Sequence, residues 1–282
     1  MTAADDFKRD GVALTPLRRC MANVAIALTM VMAPAKIHPL AEPGLARRVT
    51  IKAAIYFAVF LLCLILIDAP VMRAVGHLPR VIIWPFDQIT DFGKSGWFLW
   101  PLGLLFAALA ALPAPASKIS RAVLAAVMVR VGFLFAAIAV PGLFVTMVKH
   151  IIGRARPMVG GHIDPFLFSP FSWPAAYASL PSGHATTAFS VLVAFGSLFP
   201  RWRTELIIYA GLISLSRIVV NAHHPSDVFA GALVGTVGAL LVRRYFALRR
   251  LGFSIGPDGA LRQYPGPSFK RLKAVARELL EP

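Results

Sequence analysis

Six apolar stretches, 53–71, 97–114, 122–148, 182–199, 206–220 and 228–242, constrain this chain more than any other feature of it. Each approaches the roughly 20 apolar residues that a helix needs to cross a hydrocarbon layer of about 30 Å. Inside a bilayer the backbone must satisfy its own hydrogen bonds, so such stretches fold as helices. The chain is therefore read as an all-α integral membrane protein, a six-helix bundle. The fifth and sixth stretches hold only about 15 residues, roughly 22 Å of helix, which puts the polar residues at their ends near the membrane boundary. With 57% hydrophobic and 15% charged residues and a mean hydropathy of +0.70, an ordinary soluble domain is excluded.

The net charge of +16 raises nucleic acid as a partner, but that requires a basic face on a soluble domain. Here the cations flank apolar runs, the pattern of topology signals beside anionic lipid, so the partner is the bilayer. Alternating the six stretches puts both termini and the loops around Lys118 and Arg201 on one side. That side carries 21 of the 29 Lys and Arg residues, against 7 on the other, which holds the loops 72–96, 149–181 and 221–227 and Arg217 at the end of the fifth stretch. Arg130, within the third stretch, completes the count and is expected to snorkel toward the near boundary. The positive-inside bias makes both termini cytoplasmic and turns the other loops to the periplasm of a bacterial inner membrane. Residues 21–35 imitate a signal peptide ending in Ala33, Pro34 and Ala35. Cleavage or insertion there would leave Arg47 and Arg48 outside, against the bias. Residues 1–50 are accordingly read as a cytoplasmic or interfacial arm, 51–245 as the six-span core, and 246–282 as a basic tail, solvated or hugging the membrane. Two cysteines, Cys20 and Cys63, give neither a disulfide framework nor a cysteine metal site.

Three polar clusters interrupt the apolar chain, all at its extracytoplasmic end: Lys149 with Arg156 and Pro157; Pro181, Ser182, Gly183 and His184; and Ser216, Arg217, His223 and Asp227. Ionisable groups at membrane depth are costly, so their convergence marks a site. Lys149, Arg156 and Arg217 suit a phosphate, Arg with forked donors and Lys with a point charge. Ser182 and Gly183 precede a helix whose first amides lack intrahelical partners, an anion-binding terminus. His223 and Asp227, four residues apart, are spaced for the carboxylate to fix the imidazole tautomer, which makes His223 the nucleophile. His184, beside the phosphate cradle, is placed to protonate a leaving alkoxide. Alone, each piece has a plainer account: interfacial anchors for Lys149, Arg154 and Arg156, a helix cap for Ser226 and Asp227, turn chemistry for Pro-Ser-Gly. Eleven such residues in order on one face carry the case together.

At these residues the chain resembles the type 2 phosphatidic acid phosphatase superfamily, which includes glucose-6-phosphatase and vanadium haloperoxidases. The signature K-x6-RP, PSGH and SR-x5-H-x3-D is met without departure at 149–157, 181–184 and 216–227. The resemblance implies that Lys149, Arg156, Ser182, Gly183 and Arg217 hold phosphate. It also implies that His223 becomes a phosphohistidine, Asp227 orients it, and His184 acts as acid and then base, with no metal or other cofactor. His224 also neighbours Asp227, but the signature's spacing selects His223.

Between the first two clusters, Phe166, Phe168, Phe171, Trp173 and Tyr177 read as an interfacial lid or aromatic belt, and Trp97 and Trp100 mark the same boundary. A site at that depth suits a membrane lipid phosphate: phosphatidylglycerophosphate, phosphatidic acid, a polyprenyl diphosphate or lipid A. The expected activity is a lipid phosphatase, with a lipid phosphotransferase using the same site as the alternative. An anion transporter ranks below both, since the stretches are nearly free of charge and show no inverted repeat. Gly231 and Gly235 have the spacing of a helix-packing motif, expected to serve contacts inside the bundle rather than dimerisation; the oligomeric state stays open.

Overall fold

A computed structural model describes residues 15–37, 44–113, 115, 117–256 and 258–280. Parts of the N-terminal arm (1–14 and 38–43), the end of the second apolar stretch at Ala114, and the last two residues lie outside the described residues. In chain order the helices are α1 (Pro16–Met32), α2 (Ala46–Gly76), α3 (Arg80–Thr90), α4 (Gly96–Ala111), α5 (Lys118–Ile152), α6 (Gly183–Leu198), α7 (Arg203–Val219) and α8 (Pro225–Leu248). An antiparallel hairpin, β1 (Phe253–Ile255) with β2 (Leu261–Gln263), and a last helix, α9 (Phe269–Leu280), follow.

Among the described residues four helical segments can cross a bilayer by length and apolarity: α2, the segment Arg80–Ala111 formed by α3 and α4, α5, and α8. The six-span reading has two more. Those two are α6, apolar but with 16 residues, and α7, with 17. At 1.5 Å per residue they measure about 24–26 Å, short of the hydrocarbon thickness.

Helix ends follow local chemistry. Ser117 caps α5 by accepting from the Ser120 amide at 3.0 Å, and α5 stops where Gly153 takes φ +63°, its own N–H donating to Lys149 O. A side chain at Gly153 would come within 1.8 Å of Ser169 O, so the loop after α5 crosses directly over this glycine. Within α2, a π-helical turn at Cys63–Ile67 adds a residue and swings Asp68 inward to complete burial.

The centre of the molecule is the mutual packing of α5, α6 and α8, with α7 against α6 and α4 against α5. Small residues allow it, as expected where apolar surface alone does not drive helices together. A Cβ on Gly231 would sit 2.4 Å from Ser182 O, and one on Gly235 2.3 Å from Thr186 O. The glycine pair therefore serves α8–α6 contact inside the bundle, where Thr186 Oγ1 also donates to Gly231 O at 3.1 Å.

The stretch after α8 is more ordered than a solvated tail. Phe253 on β1 is buried in one cluster with Phe133 and Phe246, its ring 4.7 Å from that of Phe133. Glu278 on α9 accepts from the Ser117 amide at 2.7 Å. The reason lies in α5: 35 residues make about 52 Å of helix, far beyond the hydrocarbon, so its first turns stand clear and give the tail a surface. Arg130 marks the transition. Instead of simply snorkelling, its guanidinium donates to Tyr264 O and Pro265 O at 2.9 and 3.0 Å and clasps the tail. The signal-like segment forms α1, tied to the ends of α4 and α8 through Asn23 to Ala110 O (2.7 Å) and Tyr245 to Val31 O (2.8 Å).

Candidate active site

The three polar clusters meet at one end of the α5–α6–α8 core. Lys149, on the last turn of α5, places its Nζ 3.6 Å from where a Cβ on Gly183 would stand. The first turn of α6 is joined to that of α8 by a bond from the Ser182 amide to Asp227 O, 3.0 Å. Past the end of α7, the amides of Ala222 and His223 both donate to Arg217 O at 3.1 Å, folding the His223 loop back over Arg217. Lys149 lies within Coulombic range of Arg156 and Arg217, and His184 within range of Lys94, Lys149, Arg217 and His223. The eight residues singled out from sequence are thus brought together into one site.

Several of its buried polar atoms are unpaired. Ser182 Oγ, Arg156 Nε and Arg217 Nε are buried with no protein partner, and the first amides of α6 have none within the helix. Three cations and a helix N-terminus around polar atoms of this kind have the chemistry to hold an oxyanion.

The imidazoles are differently held. His223 is 2% exposed, and its Nδ1 lies 3.8 Å from Asp227 Oδ2, too far for a direct hydrogen bond. Ser179 stands between them: its Oγ donates to Asp227 Oδ2 at 2.6 Å and lies 3.4 Å from His223 Nδ1. With the hydroxyl proton given to the carboxylate, the serine oxygen accepts from Nδ1–H, which leaves Nε2 of His223 with its lone pair. Burial pushes the His223 imidazole down to about 4, against the opposing pull of Asp227. His224 is nearer the carboxylate, with Nδ1 3.3 Å from Oδ2, and its backbone N–H donates to the same oxygen at 2.9 Å. It is the N-cap of α8, joined to Asp227 by a reciprocal capping box.

Five further residues shape the pocket and were not singled out from the sequence. Arg154, weighed there only as an interfacial anchor, is completely buried and bonded to both Asp68 and Asp227. Asp68 had a visible signal, a lone carboxylate inside an apolar stretch, which the description of the stretches as nearly free of charge passed over. Ser179 had none beyond its place before Pro181. Thr90, at the end of α3, accepts from Arg217 Nη1 at 2.7 Å and from Ser216 Oγ at 3.0 Å. Gly93 abuts the other histidine: a Cβ there would fall 2.8 Å from His184 Cδ2. Neither Thr90 nor Gly93 lies near a cluster in sequence, and only folding brings them in.

The rim is aromatic. Phe166, Phe171 and Trp173 are 56%, 75% and 80% exposed in the loop that joins the first two clusters, and Trp97 and Trp100 are exposed at the start of α4. The loop is fastened by His150, whose ring lies 5.1 Å from that of Trp173.

A family model described as the PAP2 superfamily matches residues 130–251. A lipid A 1-phosphatase of Rhizobium johnstonii is 35% identical over 203 residues, 71% of this chain and 81% of that protein. The chain belongs to the PAP2 superfamily. A second relative of this PAP2 chain, a lipid A 1-phosphatase of Rhizobium etli, is 36% identical over 72% of the chain and 89% of its own length. Among solved structures, Aquifex aeolicus LpxE aligns with a TM-score of 0.46 and 24% identity, over 63% of this chain and 95% of that one. With its apolar helices, the PAP2 chain is a multi-pass membrane protein.

Proposed function

We propose that this chain is a membrane lipid phosphatase that acts at the periplasmic face of a bacterial inner membrane, through a phosphohistidine on His223. It is a phosphoric ester hydrolase of the PAP2 superfamily. The observation that carries the reading is the pocket in which Lys149, Arg156, Arg217 and the buried Ser182 hydroxyl surround two imidazoles with unpaired donors. Lys149, Arg156, Arg217, Ser182 and the Gly183 amide hold the phosphate. Nε2 of His223 attacks phosphorus, and the ester P–O bond breaks as His184 gives its proton to the leaving oxygen. His184 then takes a proton from water, the water oxygen attacks phosphorus, the N–P bond breaks, and inorganic phosphate leaves. Asp227 stabilises the imidazolium that forms during attack.

The exposed aromatic rim supports a substrate whose tails stay in the bilayer while its phosphate enters the pocket. Of the four lipid classes, the 1-phosphate of lipid A is favoured, because two relatives bearing that activity match over most of both lengths. In this reading α6 and α7 complete a six-span bundle around the site, with both termini in the cytoplasm. The test is inorganic phosphate release by the purified protein in detergent from lipid A, phosphatidylglycerophosphate, phosphatidic acid and a polyprenyl diphosphate. It is run with a chelator present, and with and without a lipid acceptor. Release from lipid A in chelator is expected. Release from none of the four, or release abolished by chelator, overturns the reading, and transfer to the acceptor in place of release makes the chain a phosphotransferase.

A further inference from the structure

Behind the nucleophile lies a buried ionic chain that the phosphatase signature does not contain. Asp68, Arg154 and Asp227 all have side chains fully removed from solvent. Arg154 Nη1 donates to Asp227 Oδ1 at 2.6 Å and to Ser226 Oγ at 2.7 Å, and Nη2 donates to Asp68 Oδ2 at 2.8 Å. Its remaining donors, Nε and Nη2, reach Pro165 O at 3.0 and 2.9 Å. Asp68 accepts from the Ser226 amide at 2.9 Å and from the Ser226 hydroxyl. Every functional atom of the guanidinium is used, the condition under which a charge of this kind can be kept in a dry interior.

Resting on the phosphatase reading, we propose that Asp68 and Arg154 are positioning residues for the reaction: the chain Asp68–Arg154–Asp227 sets the Asp227 carboxylate and, through Ser179, the ring of His223.

The division of labour on Asp227 carries this. Its Oδ1 is taken by Arg154, so Oδ2 alone is turned toward the histidine loop, where it accepts from Ser179 Oγ and the His224 amide. Ser179 then accepts from His223 Nδ1–H and leaves Nε2 facing the phosphate. A carboxylate without Arg154 is free to rotate, and the hydroxyl bridge to His223 rotates with it. Asp68 works on the same loop from the other side, because it holds both polar groups of Ser226, three residues after His223. The π-helical turn that ends at Ile67 brings Asp68 to face α8. Three segments distant in sequence, α2, the loop after α5, and the start of α8, are thereby locked at one guanidinium. A simple structural clamp would explain the burial but has no need of the ordered split of Asp227's two oxygens.

The variants are Asp68→Asn, Arg154→Lys, Ser179→Ala and the double change Asp68→Asn with Arg154→Lys, each measured in detergent on the lipid the wild type hydrolyses. For a displaced nucleophile kcat falls on the order of 10²-fold, since a shift of about 1 Å at the reacting atoms has that effect. KM and the inhibition constant of inorganic phosphate, which report the cation cradle, stay within about threefold of wild type. The double variant loses less than the product of the two single losses, because both residues act on Asp227 through one chain. Folded variants with wild-type kcat overturn the proposal, as does a kcat loss matched by an equal loss of phosphate affinity. If the charge variants do not fold, Ser179→Ala decides: it removes only the bridging hydroxyl, and an unchanged kcat overturns the proposal. A wild type that releases phosphate from none of the lipids fails the functional reading and this proposal with it, whereas an active wild type with indifferent variants fails only the latter.

Discussion

His223 and His224 are adjacent, both buried, and both within 4 Å of the same carboxylate oxygen, so proximity to Asp227 does not separate their roles. What separates them is the rest of each residue. His224 is the N-cap of α8 and its ring is folded into the capping box, whereas His223 reaches the carboxylate through Ser179 and keeps the opposite nitrogen for the pocket. His223→Ala is expected to abolish phosphate release while His224→Ala keeps substantial activity and costs about 1 kcal/mol of stability as a lost cap. Comparable activity losses in both would contradict the assignment. The imidazole of His223, held near 4 by burial, is neutral at pH 5.5, where an ordinary histidine is mostly charged. Its ring nitrogens, followed by ¹⁵N NMR and assigned by their loss in His223→Gln, should keep neutral-form shifts from pH 7 down to about 5. Since the folded form binds this proton more weakly than the unfolded form, the contribution of His223 to stability falls as pH drops from about 6.5 through 4. A midpoint at 6.5 would show that burial does not control this group.

Between helices the decisive contacts are those of residues without side chains. Gly231 and Gly235 let α8 lie directly on the backbone of α6 at Ser182 and Thr186, and Ser182 is also the start of the proposed phosphate cradle. Gly231→Ala must push Ser182 O away from 2.4 Å, so it is expected to lower stability by about 1–3 kcal/mol and to weaken phosphate inhibition together with it. Thermal unfolding and the inhibition constant of phosphate measure the two effects, and a variant with neither would mean that α8 and α6 slide apart freely. Gly93→Ala acts at the other histidine: its Cβ would crowd His184 at 2.8 Å and Ile213 at 2.6 Å, so kcat should fall with little change in KM.

Across the whole molecule, α5 acts as a ruler. From Arg130 to Lys149 is 19 residues, about 28 Å of helix, close to the hydrocarbon thickness. One end carries the proposed phosphate site and the other the clasp on the tail at Tyr264 and Pro265. A cysteine placed at exposed Trp173 should react with a membrane-impermeant thiol reagent from outside intact spheroplasts, and one at Lys118 only after lysis. The reverse pattern would invert the proposed orientation. The tail itself is part of the fold, so Glu278→Ala, which frees the Ser117 amide and the Ser120 hydroxyl, is expected to lower the unfolding temperature without changing kcat.

The linear order of residues was enough to determine the bilayer as solvent, the helical architecture and eight residues that the fold brings together. Apolar run length and charge bias depend on composition over a window, and the site residues come at fixed spacings within short segments. Tertiary structure decided what rests on distances across the bundle. It turned Arg154 from an anchor into a buried hub, recruited Asp68 from α2, placed Ser179 between His223 and Asp227, and docked the tail on α5. None of these has a local signature, because each depends on which helix faces meet, and that is set by close packing of small residues throughout the core.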